Sequence, residues 1–170
     1  VPSGVTNIEE GAFYYCEKIV EVTIPDSVTT IGAYAFEYCS SLVEVKIPVG
    51  VTSIEGETFL GCDSLVEVAI PDSVTSIDKT SFESCISLIE VTIPVNVTSI
   101  GGGAFSDCIS LAKVTILSSE LEIGEHAFQR CDNLKDIYFN GTEEQWCWVD
   151  IEEGNECLTD AAIHYIWTGE

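Results

Sequence analysis

Cys39-Ser40-Ser41-Leu42-Val43-Glu44-Val45-Lys46-Ile47-Pro48 returns 23 positions later as Cys62-Asp63-Ser64-Leu65-Val66-Glu67-Val68-Ala69-Ile70-Pro71. Six cysteines, Cys16, Cys39, Cys62, Cys85, Cys108 and Cys131, keep that spacing of 23 without insertion or deletion. A constant period of this length marks a stack of like units, each touching only its neighbours.

Working outward from the cysteine, Phe13, Phe36, Phe59, Phe82, Phe105 and Phe128 stand three residues before it, each preceded by a small residue. After the cysteine comes an apolar triplet at L-x-x-L-x-L spacing: Ile19/Val22/Ile24, Leu42/Val45/Ile47, Leu65/Val68/Ile70, Leu88/Val91/Ile93, Leu111/Val114/Ile116 and Leu134/Ile137/Phe139. Its last three residues alternate and are largely β-branched, which is a strand signal. Pro25, Pro48, Pro71 and Pro94 close the first four of these strands, because proline cannot donate to a further ladder position. A second apolar pair follows in most units, as Val28/Ile31, Val51/Ile54, Val74/Ile77 and Val97/Ile100, with only Ile123 kept in the next. No single unit can bury these side chains alone, so stacking is what makes the core. Ser41, Ser64, Ser87, Ser110 and Asn133 form a polar column before the strand, expected to bond leftover backbone groups at the bend.

These motifs resemble the BspA-like (Treponema-type) leucine-rich repeat family, most fully at Cys39 to Pro48 and again at Val97-Thr98-Ser99-Ile100-Gly101-Gly102-Gly103-Ala104-Phe105. The resemblance implies a leucine-rich-repeat solenoid, α/β by convention but mostly β, with one parallel sheet on the concave face. The array is expected over residues 1–139, in six coils near 1–24, 25–47, 48–70, 71–93, 94–116 and 117–139, with a C-terminal capping segment over 140–170. It further implies a secreted or surface-displayed bacterial or protist protein, and a role in adhesion to other proteins. The family has no shared catalytic residues to carry over.

Composition narrows the function classes. Acidic residues number 29 against 6 basic ones, a formal net charge of -23. Nucleic acid and anionic membrane both require basic surface, so neither is an expected partner. A protein ligand with a basic patch suits this charge, as does the simpler task of keeping an apolar-cored array in solution. No stretch approaches the ~18 apolar residues of a membrane span. The chain opens at Val1-Pro2, which aligns with the end of a strand, and contains no methionine. We expect a piece of a longer protein whose targeting signal and anchor lie outside it.

Stacked directly, the six repeat cysteines would hold their Cβ atoms ~4.8 Å apart, beyond the ~3.5–4.5 Å of a disulfide. They are therefore expected as buried thiols in a structural core column. Cys147 and Cys157 fall outside the repeat, where pairing with each other and remaining reduced are both open. Past Phe139, Thr142-Glu143-Glu144-Gln145 carries a capping-box signal for a short helix beginning at Glu143. A second short helix near Leu158 to Ala161 and a strand at Ile163 to Ile166 should follow, with Trp146 or Trp148 covering the last coil.

The outward strand positions form two columns. One runs Glu21, Glu44, Glu67, Glu90, Lys113, Asp136, and its neighbour includes Lys46 and ends at Tyr138. Carboxylates ~5 Å apart on adjacent strands repel by about 0.8 kcal/mol in bulk water before salt screening, and folding does not require them there. A docking surface for basic protein segments is the preferred functional reading of Glu21, Glu44, Glu67, Glu90, Lys46, Lys113, Asp136 and Tyr138. Weak calcium binding by paired carboxylates is the lesser one, and a solvated face copied with the repeat is the plain one.

No cofactor and no enzymatic activity are expected. His126, in a loop position, and His164, in the terminal strand and expected to be structural, have neither metal-ligand spacing nor a nucleophile motif. The favoured function is a non-enzymatic recognition module contacting a protein through the strand face. A structural spacer, holding another domain away from the cell envelope, is the alternative.

Overall fold

The computed structural model describes residues 1–166, and stacked parallel strands build nearly all of it. The L-x-x-V-x-I strands lie at Glu44–Lys46, Glu67–Ala69, Glu90–Ile93, Lys113–Ile116, Asp136–Phe139 and Ala162–Tyr165, with Glu21 joined to Glu44 by an isolated bridge. Pairing is parallel and displaced by one unit, as in Glu44 opposite Glu67 and Val91 opposite Val114. Inward positions of these strands are buried and outward ones open, as alternation requires.

This ladder is less continuous than a single sheet. One block pairs Glu44–Lys46 with Glu67–Ala69, and a second runs from Glu90–Ile93 to Ala162–Tyr165. Between them the Ile89 N–H reaches the Val66 carbonyl at 3.4 Å, whereas the equivalent Val66 to Val43 bond is 2.9 Å.

A second parallel ladder runs along the return segments. It pairs Asn7–Ile8 with Thr30–Ile31 and then proceeds from Ser53–Ile54 through Ser76–Ile77, Ser99–Ile100 and Glu122–Ile123 to Asp150–Ile151. Each strand has two residues, an isoleucine in the core and a polar neighbour facing out. The Thr29, Thr75 and Thr98 hydroxyls donate to the carbonyls of Thr6, Thr52 and Thr75 one coil earlier. The serine column expected to serve that purpose does not: only Asn133 makes such a bond among the described residues, to Ile109 O at 2.6 Å. The hydroxyls that stitch adjacent coils are those beside the second ladder.

The phenylalanine turns form a third seam. Alternate N–H groups close local turns, such as Cys39 to Phe36 O, while the intervening ones reach the next coil, such as Phe36 to Thr58 O and Phe59 to Ser81 O. To face alternately inward and along the stack, the backbone enters the left-handed region at two positions per turn. One is the column Gly11, Tyr34, Glu57, Thr80, Gly103 and His126, and the other Tyr15, Tyr38, Gly61, Ser84, Asp107 and Arg130. Only three of these twelve are glycine, so most coils adopt this region against a steric cost of about 1–2 kcal/mol per residue.

Inside, the phenylalanines stack face to face from Phe13 to Phe128, with centroids 5.0–5.4 Å apart and planes within 13°. Each aromatic contact contributes roughly 0.5–1.5 kcal/mol beyond its buried area. Phe13, Cys16, Ile19 and Val22, in the first of the described coils, are only partly buried. In the sixth coil Leu121, not position 120, enters the core, with Ser119 and Glu120 looped outward before it. The sequence pattern missed this, since the shift shortens the usual three-residue spacing to Ile123 by one.

The segment after Phe139 continues the stack as a seventh turn, because Asp150–Ile151 and Ala162–Tyr165 extend the two ladders. Helix Glu143–Trp146 starts where the capping box places it, with reciprocal Thr142 and Gln145 bonds. The second helix, Glu156–Thr159, begins two residues earlier than expected. Trp146 meets Phe139 edge-on at 5.1 Å and covers the last strand, whereas Trp148 is exposed. Asn155 finishes the third seam: its Oδ1 accepts from Phe128 N, and its Nδ2 donates to Gly124 O and Glu152 O.

Candidate functional site

The strand ladder sets the outward side chains in rows. Glu21, Glu44 and Glu67 lie in consecutive register on one column, and all three are exposed. Beyond the break the chemistry of the same column changes. Glu90 is opposite Lys113 and forms an ion pair with it, and that contact holds the Lys113 ammonium above the usual lysine range. Asp136 is engaged by His164, whose Nε2 stands 2.7 Å from its Oδ1.

His164 alternates with the inward residues of the terminal strand. It faces outward in register with Tyr138 and stacks on that ring at 4.7 Å and 19°. Lys46 lies opposite Ala69 in the other outward column, exposed and near the Glu44 row. The eight candidate residues thus divide in two. Glu21, Glu44, Glu67 and Lys46 leave their charges open to solvent, whereas Glu90, Lys113, Asp136 and Tyr138 are occupied by neighbours.

The sequence reading passed over an apolar stripe beside the acidic one. Val20, Val43, Val66 and Ile89 are 58%, 43%, 38% and 51% exposed, one position before each glutamate. Their backbone groups carry the seam between coils, as in Val43 N to Val20 O, while their side chains project outward. The signal was present in the first variable position of L-x-x-V, filled by Val or Ile in four units. An acidic row flanked by an apolar row is an amphipathic ledge, suited to a partner segment carrying both basic and apolar groups.

The cysteine column belongs to the interior. Cys39, Cys62, Cys85, Cys108 and Cys131 are buried, and Cys16 is half-buried at the open end. All eight cysteines are free thiols, Cys147 and Cys157 included. Burial pushes the Cys39 thiol up to about 11 and the Cys131 thiol up to about 12. Such protonated thiols are neither nucleophiles nor metal ligands at neutral pH. Among the described residues no three His, Cys, Asp or Glu side chains group closely enough to hold a metal ion. His126 sits at a left-handed position, its Nδ1 buried without a hydrogen-bond partner beside Gly154.

Similarity to known proteins follows the same frame. The family model for the BspA type leucine rich repeat region matches residues 6–135 in six copies. A leucine-rich repeat protein from Bacteroides ovatus is 38% identical with a TM-score of 0.75, over 79% of this chain and 35% of that one. The chain therefore spans about a third of that protein's length. The T. pallidum leucine-rich repeat protein is 29% identical at TM-score 0.75, covering 98% of this chain and 83% of its own. A leucine rich cell surface protein from Faecalibacterium prausnitzii shares the fold at TM-score 0.61 and 22% identity, over 91% of this chain and 74% of that one. No curated protein matches the chain.

Proposed function

The chain belongs to the BspA-type leucine-rich repeat family, and from that premise we propose that it is a non-enzymatic recognition module which docks a basic protein segment on its strand face. The observation that carries this reading is the ledge itself. Glu21, Glu44 and Glu67 stand in one row beside exposed Val20, Val43 and Val66. Packing explains neither row: like charges on adjacent strands oppose pairing, and exposed valines give up burial. Lysines of a partner would relieve the first cost, and its apolar side chains would cover the second.

Display at a cell surface or in a secreted fraction is part of the same proposal. Among the described residues no helix is long and apolar enough to cross a membrane. The open, solvated rows also lack the enclosed pair of carboxylates that glycoside hydrolysis would need.

The test compares the wild-type chain with a Glu21→Lys, Glu44→Lys, Glu67→Lys variant, titrated with a short peptide of alternating lysine and valine at two salt concentrations. Wild type should bind with affinity falling as salt rises, and the variant should lose at least ~10-fold. Equal binding by both would leave the structural spacer as the standing reading.

A further inference from the structure

On the turn side of the first three coils, Glu10, Gly11, Tyr14, Tyr34, Glu37 and Glu57 line an open cavity of about 420 Å3. Its shape follows from the repeat. Tyr14 and Glu37 occupy the same place in adjacent coils, one residue after Phe13 and Phe36. Gly11, Tyr34 and Glu57 form the left-handed column two residues before each phenylalanine, with φ of 63°, 60° and 59°. A Cβ at Gly11 would meet only Tyr14 Cβ, at 3.8 Å, so glycine leaves space where later coils carry a side chain.

Glu37 is the unusual member. It is 7% exposed, yet among the described residues no hydrogen bond or ion pair reaches its carboxylate. Removal from water, and then the charge of Glu57, raise its carboxyl above the usual range. Its carboxylate oxygens face the open cavity, where an entering cation can reach them and would favour the charged form. The ion pairs that the chain does form through Lys113 and Arg130 lie in other coils.

The remaining walls indicate which cation fits. Tyr14 and Tyr34 are half-exposed aromatic faces, and such faces attract organic cations at close range. A hydrated metal ion would instead want three or more oxygen ligands, and no such group exists among the described residues. An ammonium holds its hydration more tightly than a guanidinium does. The guanidinium is planar, stacks on aromatic rings and bonds a carboxylate with two parallel N–H groups.

We propose that this cavity receives the guanidinium of an arginine side chain presented by a partner protein, stacked on Tyr14 or Tyr34 and paired with the Glu37 carboxylate. The site is separate from the strand-face ledge and does not rest on it.

The experiment titrates the chain with acetyl-Gly-Arg-Gly-amide and with its citrulline and lysine counterparts, followed by calorimetry and tyrosine fluorescence. The arginine peptide should saturate, and the neutral, isosteric citrulline peptide should bind at least ~10-fold more weakly, with lysine in between. Glu37→Gln should lower arginine-peptide affinity about 10-fold while keeping its melting transition, and Tyr14→Ala several-fold. The Glu21/Glu44/Glu67 lysine variant should bind this peptide as wild type does, which separates failure of one site from failure of the other. Equal binding of arginine and citrulline, an unaffected Glu37→Gln, or no saturation by ~10 mM would overturn the proposal. Equal affinity for lysine would overturn the choice of guanidinium.

Discussion

The Sγ of Cys62 donates to the carbonyl of Phe36 at 3.3 Å, 26 residues back along the chain and one coil down the stack. The same bond recurs from Cys39 to Phe13, Cys85 to Phe59, Cys108 to Phe82 and Cys131 to Phe105, at 3.2–3.3 Å. Each of these carbonyls also accepts from the N–H of its own coil's cysteine, as Phe36 does from Cys39. The thiol therefore fills a small apolar slot and also satisfies a carbonyl's second lone pair, which alanine and valine would not do.

Cys85→Ala should cost about 1–2 kcal/mol through lost packing and a half-satisfied buried carbonyl. At Cys16, half-buried and without such a bond among the described residues, the same change should cost less than ~0.5 kcal/mol in this chain. Urea unfolding of the two variants measures the contrast. Equal costs would show that the bond between coils contributes nothing.

Alkali should destabilise the fold through this column. Unfolded thiols ionise near pH ~8.5. Folded Cys39 and Cys131, desolvated in the core, hold their protons to about 11 and about 12, and Cys62, Cys85 and Cys108 are raised as well. The unfolded state therefore binds fewer protons above pH ~8.5, and the stabilisation, complete below that pH, is lost as pH rises toward 11–12. Melting temperatures from pH 8 to 11 should fall steadily. At pH 8, brief iodoacetamide treatment should label Cys147 first and leave Cys62, Cys85 and Cys108 unlabelled until urea is added, as read by mass spectrometry.

Asn155 ends the turn seam with three hydrogen bonds while only 3% exposed. Asn155→Ala should leave the Phe128 N–H and two carbonyls short of partners and cost about 2–3 kcal/mol. Hydrogen exchange should show the loss concentrated at Gly124 to Phe128, with coils two to four unaffected, because a stack couples mainly to its nearest neighbours.

Thr80 sits at φ 54°, where a β-branched side chain is strained, and Gly103 fills the equivalent place one coil later. Thr80→Gly should raise stability by about 0.5–1 kcal/mol, the steric relief exceeding glycine's added entropy in the unfolded chain. A lower melting temperature would mean that the Thr80 hydroxyl bond to Lys79 O outweighs the strain.

Much of the fold was legible because a column repeated six times reports its own environment. Phe59, Cys62 and Leu65 recur at fixed spacing only if each meets its equivalent in the next coil, and all three are fully buried. The short return strands were harder to see, since two residues such as Ser76–Ile77 are too few to display alternation. The left-handed turn columns were hidden because tyrosine, glutamate, threonine and histidine occupy positions where glycine would have signalled them. At the strand face the glutamate row was visible, but the pairing of Glu90 with Lys113 and of Asp136 with His164 depends on side-chain reach across the ladder.

By itself the amino-acid sequence determined the period, the parallel stacking and the inward columns, because burial acts on every copy alike and leaves the same residue types at the same places. Which outward charges stay free, and that Glu37 lines one cavity with Tyr14 and Tyr34, only the tertiary structure decided. Those outcomes depend on neighbours one coil away, about 23 residues distant in sequence, and no local propensity encodes such contacts.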